Sequence, residues 1–112
     1  MKLTSGITAI PILHGNATFA QHIREVCFRE RPDCIAVDLP SCFAHELPTA
    51  VDGLPYVSAV LASGAGDPYY YIPTDPCDAT IEAIRQSRQN RLPCVFIGYP
   101  HLARPLSKIG RA

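Results

Sequence analysis

The sequence predicts an α/β protein with a mainly parallel sheet of four or five strands and flanking helices, in a Rossmann-like layered sandwich. Two observations lead to this prediction. Short apolar runs alternate with helical patterns along the 112 residues, an order that is typical of strands joined by crossover helices. The runs are almost continuously apolar, as expected for strands that are buried on both faces of a parallel sheet.

The bounds of the elements follow from the apolar pattern and from the 11 prolines, which punctuate the chain at expected element ends. Strands are predicted at residues 7–13, 34–39, 57–62 and 94–99, with a short extended piece at 69–72. Pro11 cannot donate to a strand ladder, so the first strand is expected near an edge or with a bulge. Helices are predicted at residues 16–31, with Asn16 as N-cap, and at 42–47. Another long helix opens with Asp75 as N-cap and Pro76 at its first position.

Composition narrows the class of protein. The length allows one domain, predicted at residues 1–101 with a tail at 102–112; this domain is either small or the N-terminal part of a longer protein. The 10 basic and 10 acidic residues balance, so no nucleic-acid partner is expected. The first residues do not have the pattern of a signal peptide, so none is expected. No apolar run comes near the roughly 18 residues of a membrane span, so no membrane partner is expected either.

The cysteines predict a cytoplasmic protein. The chain has five of them, an odd number, and no C-x-x-C pair. Most lie inside apolar runs, where a cysteine acts as a small hydrophobic residue. We therefore expect reduced, buried thiols rather than a disulfide framework, which is the pattern of an intracellular protein.

The leading candidate site is a pair of polar residues at the ends of two predicted strands. His14 ends the first strand, and Asp38 lies near the end of the second. Consecutive strands of a βαβ unit are usually neighbours, and ligands bind at the carboxyl ends of parallel strands. A histidine and a carboxylate there can share a proton or bind a divalent metal ion together. A structural alternative stays open, in which His14 bonds to a backbone carbonyl and Asp38 caps a helix or bonds a loop.

Four further residues are candidates for binding a ligand beside this pair. Gly15 would let a ligand or backbone approach closely. The helix that opens at Asn16 offers backbone N–H groups to an anion or oxyanion. His101 would add a second imidazole to the same rim. The N-cap position already explains Asp75, for which a binding role is the weaker alternative.

The order of these motifs resembles the erythromycin esterase / ChaN / TraB / Tiki superfamily. The resemblance covers about residues 7–101 and begins in the segment ILHGNATFAQHIREVCFRERPDCIAVDLP. The later segments DPYYYIP and DPCDATIEAIRQSRQNRLPCVFIGYP are similar to an uncharacterised TraB-related bacterial branch. The resemblance implies an α/β fold with a parallel core, and an activity like that of members that are macrolide esterases or metal-dependent peptidases. It maps the proposed site residues of the family onto His14 and Asp38.

The chain departs from the pattern of that superfamily in three places. The acid of the second strand is usually Glu, whereas here it is the shorter Asp38. The last strand carries Gly98 and Tyr99 where related sequences often have an acid. Further site residues of the family lie beyond residue 112. The resemblance therefore implies only part of the family's site.

The leading functional prediction is a hydrolase of an ester or amide bond in a small molecule or peptide. His14 would act as general base or metal ligand, and Asp38 would orient it or share the metal, so that a divalent metal ion is the alternative cofactor. The rival prediction is a non-catalytic domain that binds a ligand or assembles with itself. An exposed sheet edge and an uncovered last strand would favour such a homo-oligomer.

Overall fold

The structure, a computed structural model, describes residues 1–4, 6–63 and 69–98. The predicted tail at 102–112 lies outside them. Three helices lie at Ala17–Glu30 (α1), Glu46–Asp52 (α2) and Ala79–Gln89 (α3), with a 3-10 turn at Ser41–Phe43. Six short strands lie at Lys2–Thr4 (β1), Ile7–Thr8 (β2), Ile35–Val37 (β3), Ala59–Ser63 (β4), Tyr69–Pro73 (β5) and Cys94–Phe96 (β6).

The predicted parallel sheet of four or five strands is wrong. The described strands form three separate two-stranded sheets, β1–β2, β3–β6 and β4–β5. Only β3 and β6 are parallel, with Ile35 opposite Cys94 and Val37 opposite Phe96. The apolar runs do form strands, but they are distributed over three small sheets instead of one layered sandwich.

The first predicted strand fails because of its proline. Only Ile7–Thr8 pairs, and its partner is the antiparallel strand Lys2–Thr4 rather than β3. Residues 9–13 have no strand pairing within the described chain. Pro11 lies in that stretch and lacks the N–H that a ladder requires. His14 therefore follows an unpaired extended segment, and it does not end a strand beside Asp38.

The strands β4 and β5 are antiparallel because the link between them is short. Ala59 lies opposite Pro73, and Ser63 lies opposite Tyr69. Residues 64–68 alone join the two strands, whereas a parallel connection needs a crossover of about a dozen residues or more. Thr74 closes the open end of this hairpin, since its buried hydroxyl accepts from Ser58 N–H at 2.8 Å and donates to Ser58 O at 3.1 Å.

The helices match the sequence pattern to different degrees. The prediction of Asn16 as the N-cap of α1 is confirmed, since its side chain accepts from Thr18 N–H at 2.9 Å. The predicted short helix at 42–47 is instead a 3-10 turn followed by α2. The start of α3 is also different, because its N-cap is Asp78 and not Asp75. Among the described residues, no helix combines the length and the apolar character needed to cross a membrane.

The core is built around α3. This helix packs against α1, α2 and β3, and eight of its 11 residues are buried. Ile81 and Ile84 contribute to a cluster with Phe43 and Leu47 from the 3-10 turn and α2, all of them at most 1% exposed. Such side chains each contribute about 1.5–3 kcal/mol through burial. A helix surrounded in this way has a fixed position, so residues at its two ends are fixed as well.

Gly98 is placed where the chain after β6 touches the backbone after β3. Its N–H donates to Leu39 O at 2.9 Å. A Cβ on residue 98 would lie 2.7 Å from the Leu39 carbonyl carbon and 3.0 Å from Pro40 N. Backbone atoms cannot rotate away from such a contact. The glycine is therefore required by the close approach of two chain segments.

We expect Gly98→Ala to lower the free energy of unfolding by about 1–3 kcal/mol, because the added methyl group overpacks this contact. Chemical denaturation measures the change. Gly6→Ala is the matched control, since no atom lies within 4 Å of a Cβ at residue 6, and its effect should stay within about 0.5 kcal/mol. Equal stability of the two variants would show that the approach at Leu39 is not restrictive.

Candidate functional site

The structure brings together His14 and Asp78. The Nδ1 atom of His14 lies 3.0 Å from Oδ1 of Asp78, across 64 positions of sequence. The His14 side chain is 49% exposed, while that of Asp78 is only 11% exposed. A half-exposed imidazole therefore has a nearly buried carboxylate behind one of its nitrogens.

Asp78 is held in place as the N-cap of α3. Its Oδ2 atom accepts from Thr80 N–H at 3.0 Å and from Ile81 N–H at 3.3 Å. Oδ1 accepts from Gly15 N–H at 2.8 Å and also faces His14. One carboxylate thus satisfies N–H groups at the start of α3 and in the turn before α1. This network explains how a single aspartate fixes the position of the imidazole.

The pKa of Asp78 lies below its usual value. Burial raises it, but hydrogen bonds from His14 and Gly15, the charge of a protonated His14 and the Ile81 N–H together lower it by more. The carboxylate is therefore ionised near neutral pH and can only accept hydrogen bonds. Nδ1 of His14 must then carry the proton between them, and in the neutral imidazole Nε2 carries the lone pair.

The sequence predicts Asp38 as the acidic partner of His14, whereas in the structure the partner is Asp78. Asp38 follows β3 and is exposed, and its carboxylate has no hydrogen bond or ion pair with another described residue. His14 and Asp38 were expected to lie close together because the segment before His14 was predicted to pair with β3. That pairing is absent within the described chain, where β3 pairs with β6 alone.

Gly15 and Asn16 both have internal roles. Gly15 has φ +73°, a conformation that residues with a side chain rarely adopt. The expected room beside it exists, since no atom lies within 4 Å of a Cβ built there. Its N–H is already donated to Asp78, however, and the Asn16 side chain is used by Thr18 N–H. These contacts position His14 and α1, and binding of a ligand at Gly15 and Asn16 stays a prediction.

The other two predicted binding residues lie apart from this pair or outside the described chain. Asp75 forms a turn just before α3, in which Oδ1 accepts from Cys77 N–H at 2.9 Å. It was expected to cap the helix, but the chain makes one more turn and Asp78 takes that position. His101 lies outside the described residues.

Within the described chain, no group of three or more His, Cys, Asp or Glu side chains is placed to hold a metal ion. His14 and Asp78 supply two donors, and both oxygens of Asp78 already accept from N–H groups. This donor set suits a proton-transfer pair better than a metal centre.

All five cysteines are free, as predicted, but none of them is buried. Cys34, Cys42 and Cys77 are exposed, whereas Cys27 and Cys94 are half-buried. Burial is the main factor that raises the pKa of the Cys27 and Cys94 thiols. The expectation of buried thiols is therefore wrong, because Cys34, Cys42 and Cys77 lie in turns and at an element end, and only Cys27 and Cys94 lie in a long helix or a strand.

The sequence contains a local signal for Asp78 as a helix cap. Asp78 is followed by Ala79, Thr80 and Ile81, the polar-to-apolar transition of a helix start, as Asp75 is followed by Pro76. Both aspartates satisfy the rule for an N-cap. The contact with His14 had no local signal, since it depends on how α3 packs beside the turn before α1.

We expect Asp78→Ala to lower the free energy of unfolding by about 2 kcal/mol, because it removes the helix cap and leaves buried N–H groups without an acceptor. Asp75→Ala is the matched control, since that carboxylate caps only an exposed turn. Urea denaturation of both variants checks this. Equal losses of unfolding free energy in the two variants would show that Asp78 stabilises the fold no more than a carboxylate in an exposed turn does.

The lowered pKa of Asp78 also predicts a dependence on pH. A carboxyl group whose pKa is lower in the folded state contributes its full stability above its unfolded value, about 3.9, and loses it as the pH falls towards the folded pKa. We expect the stability of the wild type to fall below about pH 4 more steeply than that of Asp78→Asn. Parallel curves for the two proteins would contradict the assignment.

Three comparisons were made, with models of protein families, with curated proteins and with solved structures. None of them finds a match for this chain. The likeness to the TraB superfamily therefore stays a prediction from sequence motifs, and a function for this chain must be argued from the geometry of its own residues.

Proposed function

We propose that the chain hydrolyses an ester or amide bond, with His14 as the general base and Asp78 as the residue that orients it. The observation that carries the proposal is the 3.0 Å contact between Nδ1 of His14 and the buried carboxylate of Asp78. A buried carboxylate on Nδ1 fixes the tautomer of an exposed imidazole and stabilises the imidazolium that forms during proton transfer. An imidazole oriented in this way by a carboxylate is typical of histidines that act as general bases.

The chemistry follows from the tautomer. Nε2 of His14 takes a proton from a water molecule as the oxygen of that water attacks the carbonyl carbon of the substrate. The same nitrogen then gives the proton to the leaving alcohol or amine, so that His14 returns to its neutral form. Asp78 stays ionised throughout, because its role is to hold the Nδ1 proton and to offset the charge of the imidazolium.

A second candidate is a non-catalytic domain in which the same contact is a structural link. The observation that favours it is that Asp78 accepts hydrogen bonds from four N–H groups, three of them on the backbone. A carboxylate so fully occupied ties the turn at Gly15 to the start of α3 whether or not His14 transfers protons. The two candidates differ in what happens when only the base is removed.

His14→Asn separates the two candidates. The asparagine amide can still donate to Asp78 but cannot accept a proton at the position of Nε2. With 4-nitrophenyl acetate as an activated ester, we expect kcat/KM to fall about 100-fold or more, which is the usual contribution of a general base. The melting temperature should change little, because the hydrogen bond to Asp78 is kept.

His22→Asn is the matched control, since His22 is another exposed histidine, on α1. It should retain the wild-type rate. That result would show that the loss in His14→Asn is specific to His14 and does not follow from removing any exposed imidazole. Asp78→Asn should lower the rate while His14 is intact, because the orienting charge is lost. Equal rates for wild type, His14→Asn and His22→Asn would reject the hydrolase and leave the structural link.

A further inference from the structure

A groove with a volume of about 770 Å³ lies between the C-terminal halves of α1 and α3. Its first residue on α3 is Gln86, eight positions after Asp78, which corresponds to about 12 Å along the helix axis. The groove is therefore separate from the His14–Asp78 pair, at the opposite end of the same helix. Its volume is within the range of about 300–1,000 Å³ that is usual for small-molecule sites.

One side of the groove is apolar. Phe28 on α1 and Leu92 after α3 line it, together with Pro32. Phe28 is 77% exposed, the highest value for a phenylalanine among the described residues. An exposed aromatic ring beside other apolar groups in a concave surface offers contact area to the hydrocarbon part of a ligand.

The polar lining contains two guanidinium groups, of which that of Arg31 has no partner among the described residues and that of Arg24 has only a long ion pair. The side chain of Arg31 forms no hydrogen bond or ion pair with another described residue, and only its backbone N–H is used, by Cys27 O at 3.0 Å. Arg24 reaches Glu82 only at 3.7 Å, and both oxygens of Glu82 are already held by Arg85 and by Gln86 at 2.7–2.9 Å. The two guanidinium groups outnumber Glu25, the one carboxylate of the lining. An anion placed at Arg31 gains a charge-assisted hydrogen bond for which no described residue competes, and Arg24 can add a second one through nitrogens that do not face Glu82.

The backbone of Arg31 is unusual. It is the C-cap of α1 with φ 48° and ψ 65°, in the left-handed region where glycine is the common residue. Arg91, which follows α3, has φ 57° but does not line the groove. The conformation alone therefore does not mark a site. It does make glycine an acceptable replacement at both positions, so that the side chain can be removed without harming the fold.

We propose that this groove binds a small amphipathic carboxylate, with its apolar part against Phe28 and Leu92 and its charged end at Arg24 and Arg31. Carboxylate is the group that fits because a guanidinium can bind its two oxygens together. A neutral ligand of the same shape would leave the guanidinium groups unused and would bind less tightly. The proposal does not depend on the hydrolase, since it concerns binding at a different place.

Octanoate is the probe, titrated into the whole chain and followed by 1H–15N NMR, with octanamide as its uncharged analogue. We expect octanoate to shift the amide signals of Arg31, Asn90 and Leu92 and to leave that of Gly15 unchanged. Octanamide should bind at least tenfold more weakly. Phe28→Ala should also weaken octanoate binding, and its melting temperature should be preserved because the ring is exposed.

Arg31→Gly is the decisive variant, and Arg91→Gly is its control. Both relieve a left-handed backbone position, so neither should lower the melting temperature. Only Arg31→Gly should raise the Kd for octanoate, by tenfold or more, while Arg91→Gly stays within twofold of wild type. Equal binding of octanoate and octanamide, unchanged binding by Arg31→Gly, or an equal loss in both glycine variants would overturn the proposal.

Discussion

The structure depends on the burial of one short helix, α3. Eight of its 11 residues are buried, although the segment contains threonine, glutamate, glutamine and serine as well as isoleucine and alanine. An isolated helix of this length is only marginally stable in water, so its stability must come from its surroundings. Each polar group taken out of water with α3 also needs a partner, because an unsatisfied buried donor or acceptor costs about 1–3 kcal/mol. This requirement determines the arrangement at the start and in the middle of the helix.

At the first end the requirement is met by Asp78, and in the middle by a network around Glu82. The Glu82 side chain is only 2% exposed, and it accepts from Arg85 through two nitrogens and from Gln86 through one. These hydrogen bonds are the main factor that raises the pKa of Arg85. A buried carboxylate that lost such partners would destabilise a protein by about 3–5 kcal/mol. The charged groups of α3 are thus fixed by the same burial that makes the helix central.

Local features were predictable from the sequence, and long-range ones were not. The Asn16 cap and the course of α1 depend on residues a few positions apart, so the sequence pattern was sufficient. The pairing of strands depends on distant segments, and here an assumed parallel sheet outweighed two available signals. These were Pro11 in the first apolar run and the five-residue link between β4 and β5. A proline limits strand pairing to an edge or a bulge, and a five-residue link is too short for a parallel connection, so both features argue against a wholly parallel sheet.

The candidate site shows the same division. His14 was recognised as a residue of interest from its place before a helix, and the structure gives it an acidic partner. The identity of that partner could not be derived, because Asp78 lies 64 positions away and meets His14 only after α3 has packed. Asp38 had the right chemistry and the shorter sequence separation. The shorter separation along the chain did not predict the contact, because the prediction assumed that the apolar segments before His14 and Asp38 were neighbouring strands.

The turn at Gly15 has a consequence for the dynamics of the chain. Its amide proton is bound to Oδ1 of Asp78, while the other oxygen of the same carboxylate holds the first N–H groups of α3. Exchange of that proton with solvent requires this hydrogen bond to break, and where it breaks by movement of the carboxylate, the start of the helix is freed as well. Hydrogen exchange at Gly15 is thus linked, through one side chain, to the opening of a helix that begins more than 60 residues later.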